Sequence, residues 1–384
     1  MEDWEHGGFG LYIHWPFCQA KCPYCDFNSH VVAHIDQKAW QDAYLSEIER
    51  IGAETPGRVL RSVFFGGGTP SLMDPDVVDA ILTKVRATWP IANDIEITLE
   101  ANPTSVEAGR FAGYRDAGVN RVSMGIQALN DADLKALGRL HSAHEAMQAF
   151  DIARNVFDRV SFDLIYSRQG QSIQDWETEL RQALGMAVDH LSLYQLTIED
   201  GTAFGDRYAA GKLRGLPDDD VAADMYAITQ EVCGSAGFGS YEVSNHARPD
   251  CESIHNKIYW KYGDYAGIGP GAHGRLTLGG IRYATEAPLA PAMWLSQVRK
   301  TGNGDRSREA LQRADQFVEF LLMGMRLREG VVLSRFADCL NDNYSNNIKS
   351  LIDMGFIRDD ETTLSLTDRG YPVLNAVLRE MLDA

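Results

Sequence analysis

Short apolar or β-branched runs recur through the first half of the chain, at residues 10–14, 61–65, 95–100, 120–124, 159–165 and 190–197. Their length and content predict strands. Between them the apolar positions change to helical spacing, as in Ala39-Trp-Gln-Asp-Ala-Tyr-Leu-Ser-Glu-Ile48 and Val77-Val-Asp-Ala-Ile-Leu82. Repeated β-then-α order implies a parallel sheet with right-handed crossovers. Six such units predict an α/β fold, an open partial (β/α)6 barrel of the TIM type over residues 1–245 rather than a complete eight-stranded barrel.

Residues 246–305 read as an extension of that barrel, closed by a polar linker, Thr301-Gly-Asn-Gly-Asp-Arg-Ser307. Beyond it, residues 306–384 carry two or three amphipathic helices, a turn at Ile357-Arg-Asp-Asp360, a strand at Leu364-Ser-Leu366 and a final helix from Asp368. That order predicts a small winged-helix-like α+β domain.

Polar residues collect where the strands should end, which is where a parallel barrel places its chemistry. Tyr12 and His14 close the first strand, and Gly66-Gly67-Gly68-Thr69-Pro70 follows the second. Glu100 and Asn102 end the third, Gln127 the fourth, Asp163 the fifth and Gln195 the sixth. Any one of these has a structural explanation; together on one face they describe a pocket. Glycines in the turn let the backbone approach a ligand closely.

The sharpest chemical signal lies just after the first strand, in Cys18-Gln-Ala-Lys-Cys22-Pro-Tyr-Cys25. Three clustered thiolates suit a four-iron cubane with one iron left open. A structural zinc site is the alternative; it would need Asp26 or His30 as fourth ligand, because such sites close at four and no second CxxC lies downstream. Cys233 and Cys339 sit in helical patterns and read as small core residues.

Composition narrows the setting. The chain has 384 residues and a net charge of −18, which opposes the phosphate neutralisation that nucleic-acid binding requires. Its acidic start has neither a basic n-region nor an apolar h-region, and no stretch reaches transmembrane length. The expected location is the cytoplasm, with any membrane role peripheral and exercised through partners.

Four segments resemble a known family. Leu11-Tyr-Ile-His-Trp-Pro-Phe-Cys18, Phe65-Gly-Gly-Gly-Thr-Pro-Ser71, Glu96-Ile-Thr-Leu-Glu-Ala-Asn-Pro103 and Arg121-Val-Ser-Met-Gly-Ile-Gln127 are similar to radical S-adenosylmethionine (SAM) proteins of the oxygen-independent coproporphyrinogen III oxidase group. Leu137-Gly-Arg-Leu-His141, Asp163-Leu-Ile-Tyr166 and His190-Leu-Ser-Leu-Tyr-Gln-Leu-Thr197 extend the likeness to nearly the whole chain. Within the group the chain resembles the haem-chaperone branch. The oxidases carry a further cysteine where Phe27 stands here, and a longer N-terminal extension; His255-Asn256-Lys257-Ile258-Tyr259-Trp260 matches the HNxxYW motif of the chaperones. Ser167-Arg-Gln-Gly170 departs from the family's Gly-Leu-Pro-Gly turn and leaves the shape of that loop open.

The resemblance implies a [4Fe-4S] cluster on Cys18, Cys22 and Cys25, with Tyr12, Gly67, Gly68, Thr69, Glu100, Gln127, Arg139 and Asp163 around SAM. Tyr24 or Phe27 would cover the cluster. Arg139 could instead form an ion pair with Asp163 that braces the barrel mouth. Haem is the implied cargo, with His255 the preferred axial ligand and Cys251 and His246 as substitutes, although a histidine beside Tyr259 and Trp260 is also a common hydrogen-bonded core residue. The implied partners are acceptor haemoproteins such as respiratory enzymes, a flavodoxin or ferredoxin as electron donor, and a second copy in a homodimer. The overall expectation is a haem chaperone that retains SAM binding. Radical decarboxylation of coproporphyrinogen III propionates is the catalytic alternative, and a zinc-stabilised scaffold the non-redox one.

Overall fold

The computed structural model describes residues 2–382, except for the side chains of residues 105 and 106. Six strands run parallel in sequence order: β1 (Phe9–Trp15), β2 (Leu60–Gly67), β3 (Ile91–Ala101), β4 (Arg121–Gln127), β5 (Arg159–Tyr166) and β6 (His190–Gln195). They are the predicted six, with the last ending two residues before the apolar run does. Leu11, Ile13, Val63, Phe65, Leu99, Val122, Phe162 and Leu191 are fully buried along them. Such continuous apolar strands belong to a parallel sheet covered by helices.

The intervening helices form for legible local reasons. Helix α1 (Gln37–Glu54) is capped by Asp36, whose side chain accepts from the Ala39 amide, and it buries Trp40, Ala43, Tyr44, Glu47, Ile48 and Ile51 as one stripe. Helix α2 (Pro75–Thr88) opens on a proline and buries Val77, Val78, Ile81, Leu82 and Val85. The helices that lead into β5 (Ala143–Val156) and β6 (Ile173–Met186) each start with a reciprocal capping box, Ser142 with Glu145 and Ser172 with Asp175.

The sheet extends beyond the predicted six strands on both sides. Strands β7 (Gly239–Ser240) and β8 (Asn245–Ala247) add to the β6 edge. On the other edge β9 (Asp264–Ile268) lies parallel to β1, followed by antiparallel β10 (His273–Leu278), β11 (Ile281–Glu286) and β12 (Ser307–Ala310). The result is one 12-stranded sheet whose terminal strands, β12 and β7, do not meet. The barrel is therefore open.

The polar segment 301–307, expected as an inter-domain linker, leads from the end of a helix (Pro291–Thr301) straight into β12, which pairs with β11. Asp305 there accepts from Arg50 at 3.0 Å and from Arg308 at 2.9 Å, so acidic and basic side chains fasten the segment to the barrel. Trp294, on the preceding helix, is fully buried and stacks on Trp40 of α1 with centroids 5.6 Å apart.

The C-terminal unit has its own core around Phe317, Phe320, Phe336, Leu351 and Leu378, into which the barrel extension inserts Tyr262. Ile357–Asp359, predicted as a turn, is a strand paired antiparallel with Leu364–Leu366. The turn falls at the next residues, where the Asp360 side chain accepts from the Thr363 amide at 2.7 Å. The final helix starts at Leu374, after a short 3₁₀ turn over Tyr371–Val373. No helix among the described residues is long and apolar enough to cross a membrane.

Candidate cluster and cofactor site

Beyond Trp15 the chain forms a loop that carries the three clustered cysteines. Phe17 and Cys18 pair in parallel with His30 and Val31, which closes the loop at its base. From the barrel side the glycine turn after β2 grips it: the Gly68 amide donates to the Trp15 carbonyl at 2.7 Å and the Thr69 amide to the Phe17 carbonyl at 2.8 Å. A Cβ at Gly68 would stand 2.7 Å from the Phe17 carbonyl oxygen and 2.9 Å from that of Trp15, so only glycine fits. Gly67 adopts φ +106°, in the region that glycine alone enters freely.

Cys18, Cys22 and Cys25 are free, half-buried thiols, and burial pushes the Cys18 and Cys25 thiols up. Two donors point at their sulfurs. Thr69 Oγ1 lies 3.4 Å from Cys18 Sγ and Arg139 Nη1 lies 3.3 Å from Cys22 Sγ. Donors on the sulfur are what a cluster-bound thiolate takes from its surroundings. Among the described residues, no group of three or more His, Cys, Asp or Glu side chains converges to hold a single metal ion. A cubane makes no such demand, because each of its cysteines binds a different iron. The three thiols of this loop fit the cluster.

The loop, the glycine turn and the ends of β3, β4 and β5 surround an open cleft of about 980 Å³. Gly67, Gly68, Thr69, Glu100, Gln127, Arg139 and Asp163 all line it together with the three cysteines. Arg139 also donates to Asn102 Oδ1 at 2.6 Å and to the Gly125 carbonyl at 2.8 Å, while Asn102 Nδ2 donates to Thr69 Oγ1 at 3.1 Å. This chain ties the cysteine loop, the glycine turn and β3 into one unit. It also corrects the alternative of an Arg139–Asp163 ion pair, since the guanidinium is directed at a thiol, an amide and a carbonyl. Its Nε is buried without a hydrogen-bond partner among the described residues, a donor that a ligand carboxylate would satisfy.

Two carboxyls sit deeper. Burial, followed by the nearby charge of Asp163, pushes Glu100 up to about 8. Burial likewise pushes Asp163 up to about 6. Glu100 Oε2 accepts from the Gly67 amide at 3.3 Å, and Ser123 Oγ donates to Asp163 Oδ1 at 3.4 Å. A pair of carboxyls whose burial outweighs the nearby positive charge of Arg121 suits a cationic ligand, and SAM carries an ammonium and a sulfonium. Gln127 reaches the cleft through a register break in the β4–β5 pairing and a strained φ of +73°.

Tyr12 lies behind this cleft rather than on it. It lines a polar cavity of about 200 Å³ in the barrel interior, bounded also by Glu100, Arg121, Asp163 and His190. His14 is clamped beside it, with Nδ1 3.0 Å from Tyr12 OH and Nε2 2.9 Å from the Asn28 carbonyl oxygen. Asn28 carried no signal in the sequence. Its amide donates to the Pro270 and Leu289 carbonyls, both at 2.9 Å, and so latches the cysteine loop to the barrel extension. His141, also on the cleft, is held down to about 4 by burial and then by Arg139.

His255 has a different environment from the one expected of an axial haem ligand. It is 2 % exposed. Its Nδ1 lies 2.7 Å from Ser62 Oγ and its Nε2 2.7 Å from Tyr259 OH, while the ring stacks on Phe64 at 4.9 Å. Burial holds it down to about 3. With both nitrogens engaged, the ring braces its helix (Ile254–Trp260) against β2 and offers no lone pair to iron. The named substitutes lie off both clefts: His246 is fully buried, with Nε2 3.3 Å from Gln230, and neither it nor Cys251 lines either space. Cys233 is a buried core thiol as expected, whereas Cys339 is only half-buried at the edge of the C-terminal core.

Tyr24 lines the cleft and packs toward Phe204, whereas Phe27 is 56 % exposed at its mouth. The loop 167–170 takes its shape from Arg168, which is buried and donates to Glu179 at 2.5 Å and Asp133 at 2.7 Å. Ser167 and Gly170 both take positive φ there, +59° and +71°.

An open parallel barrel that brings a three-cysteine loop, a glycine turn and paired carboxyls to its C-terminal rim defines a radical SAM protein. Residues 12–183 match the model of the radical SAM superfamily and residues 311–373 that of the HemN C-terminal domain. Over its length the chain is 36 % identical to the heme chaperone HemW of Escherichia coli, covering 97 % of each chain. It is 38 % identical to the mitochondrial radical S-adenosyl methionine domain-containing protein 1 of Bos taurus, covering 97 % of this chain and 87 % of the relative. Coproporphyrinogen III oxidase (HemN) from Escherichia coli superposes with a TM-score of 0.80 at 22 % identity, over 97 % of this chain and 90 % of that one, which is a likeness of fold. The chain belongs to the HemW family of radical SAM proteins. Membership implies a [4Fe-4S] cluster and SAM as its cofactors.

Proposed function

We propose that this protein carries haem: it binds the molecule and passes it to acceptor haemoproteins such as respiratory enzymes. The observation that carries this reading is the full-length likeness to relatives named as haem chaperones. Phe27 supports it, standing exposed where the resembling oxidases have a further cysteine. So does a second cleft beside the first, about 940 Å³ with its open mouth included, whose aromatic side chains offer flat surface to a macrocycle. A carrier must release its cargo to a stronger acceptor, and a cleft open to solvent suits that better than an enclosed pocket.

In this reading Cys18, Cys22 and Cys25 hold the cluster, Arg139 and Thr69 donate to their sulfurs, and Gly67, Gly68, Glu100, Gln127 and Asp163 surround SAM. When bound, the cluster supplies the electron that cleaves the SAM sulfonium into methionine and a carbon radical. The half-buried cysteine loop lets a small one-electron donor such as flavodoxin or ferredoxin approach. The test is a pair of anaerobic assays of the reduced, cluster-loaded protein: incubation with SAM and coproporphyrinogen III, and, after loading with haem, incubation with an apo-haemoprotein. Haem transfer without decarboxylated porphyrin is the expected outcome. Protoporphyrinogen IX formation would make the protein an oxidase and refute the reading.

A further inference from the structure

If the cargo is haem, the HNxxYW histidine cannot ligate it as placed, and another donor must. The 940 Å³ cleft is lined by two histidines, His14 and His273. His14 is buried with both nitrogens engaged, by Tyr12 and by the Asn28 carbonyl. His273 differs in each respect. It opens β10, its side chain is 58 % exposed, and the nearest acidic partner, Glu286, stands 3.8 Å from Nδ1, beyond hydrogen-bond range. Of the two histidines lining this cleft, it is therefore the one whose imidazole is open to solvent.

The surroundings suit a porphyrin. Tyr259, Trp260 and Tyr265 supply flat walls, Met323 adds a thioether, and Phe27 stands between this cleft and the cluster cleft, lining both. Tyr259 and Tyr265 are fixed edge to face with centroids 4.3 Å apart, so the wall is preorganised. Haem iron takes imidazole or thioether donors, and an aromatic cleft supplies stacking.

Resting on the reading of the protein as a haem carrier, we propose that His273 is the axial ligand of the bound haem and that the cleft between Phe27, Trp260 and Tyr265 is the haem site. His255 supports it from behind, since Nε2 of His255 holds the Tyr259 hydroxyl that forms part of the wall. Haem there would lie against the SAM cleft, with Gly67 and Glu100 lining both spaces.

The test is haemin titration of the cluster-loaded protein, read by the Soret band, by resonance Raman markers of iron ligation and by the dissociation constant. Wild type, His273→Ala and His255→Ala are compared, with thermal melting and the cluster spectrum as checks of folding. Loss of the imidazole-ligated signature and roughly tenfold or greater weakening in His273→Ala, with added imidazole restoring the spectrum, is the expected result. An unchanged Soret band and affinity in His273→Ala would overturn the assignment. So would loss of ligation in a folded His255→Ala protein that added imidazole restores, which would return the role to the HNxxYW histidine. Failure of wild type to bind haemin would instead overturn the haem-carrier reading, and the ligand assignment with it.

Discussion

Replacing Glu100 with Gln should remove a pH dependence from the stability of the ligand-free protein. In the fold, burial and Asp163 hold this carboxyl up to about 8, against an ordinary value of 4.5. Between those limits the folded chain keeps a proton at Glu100 that the unfolded chain has lost, so the stability this group contributes declines as pH rises from about 4.5 and levels off above 8. Asp163, pushed up to about 6, acts in the same direction but has largely finished titrating by pH 6.5. From pH 6.5 to 8 the Glu100 contribution integrates to about 1.6 kcal/mol, taking 1.36 kcal/mol per pH unit. With an unfolding entropy of about 2.1 cal/mol/K per residue, that is a fall in melting temperature of about 2 °C. Differential scanning fluorimetry of the cluster-loaded protein without SAM would show this as a fall of about 2 °C in the wild-type melting temperature relative to that of Glu100→Gln between pH 6.5 and 8, because the buried histidines held down in the fold, such as His141 and His255, contribute an opposite slope that is common to both proteins. SAM reverses the balance, because its positive charge favours the ionised carboxylate. Its affinity in wild type should rise with pH up to about 8, by at most tenfold per unit, and should be weaker and pH-independent in the variant. Parallel melting curves for the two proteins between pH 6.5 and 8 would refute the reasoning.

Two further predictions concern packing. Gly68→Ala places a Cβ 2.7 Å from the Phe17 carbonyl oxygen, which neither strand can easily yield; a loss of about 1–3 kcal/mol in denaturant unfolding and weaker SAM binding by calorimetry are expected. Trp294→Ala empties a fully buried site against Trp40 and Tyr44, with ring centroids at 5.6 and 5.4 Å. A cost of about 3–5 kcal/mol is expected in urea unfolding, and an unchanged midpoint would show that the extension does not depend on this stack.

The six parallel strands and the cysteine loop were legible because their signals are local. Val63 and Phe65 of β2, or the spacing of Cys18, Cys22 and Cys25, declare themselves within a few residues, and parallel strands place their ends on one rim whatever the loops contain. The polar residues at those ends were legible for the same reason, and the structure brings Glu100, Gln127 and Asp163 to one cleft with the glycine turn.

What tertiary structure alone decided are the relations between distant segments. Nothing in Asp264–Ile268 announces a strand that lies parallel to β1, because pairing depends on which edge is vacant. Gln127 enters the cleft only through a register break against β5. Above all, a histidine's capacity to bind iron depends on whether its nitrogens are already taken. Ser62, 193 residues away in sequence, occupies Nδ1 of His255, whereas His273 at the start of β10 keeps most of its side chain in solvent. Residue type and spacing determine which side chains could serve; burial and partners brought from elsewhere in the chain decide which one is free to.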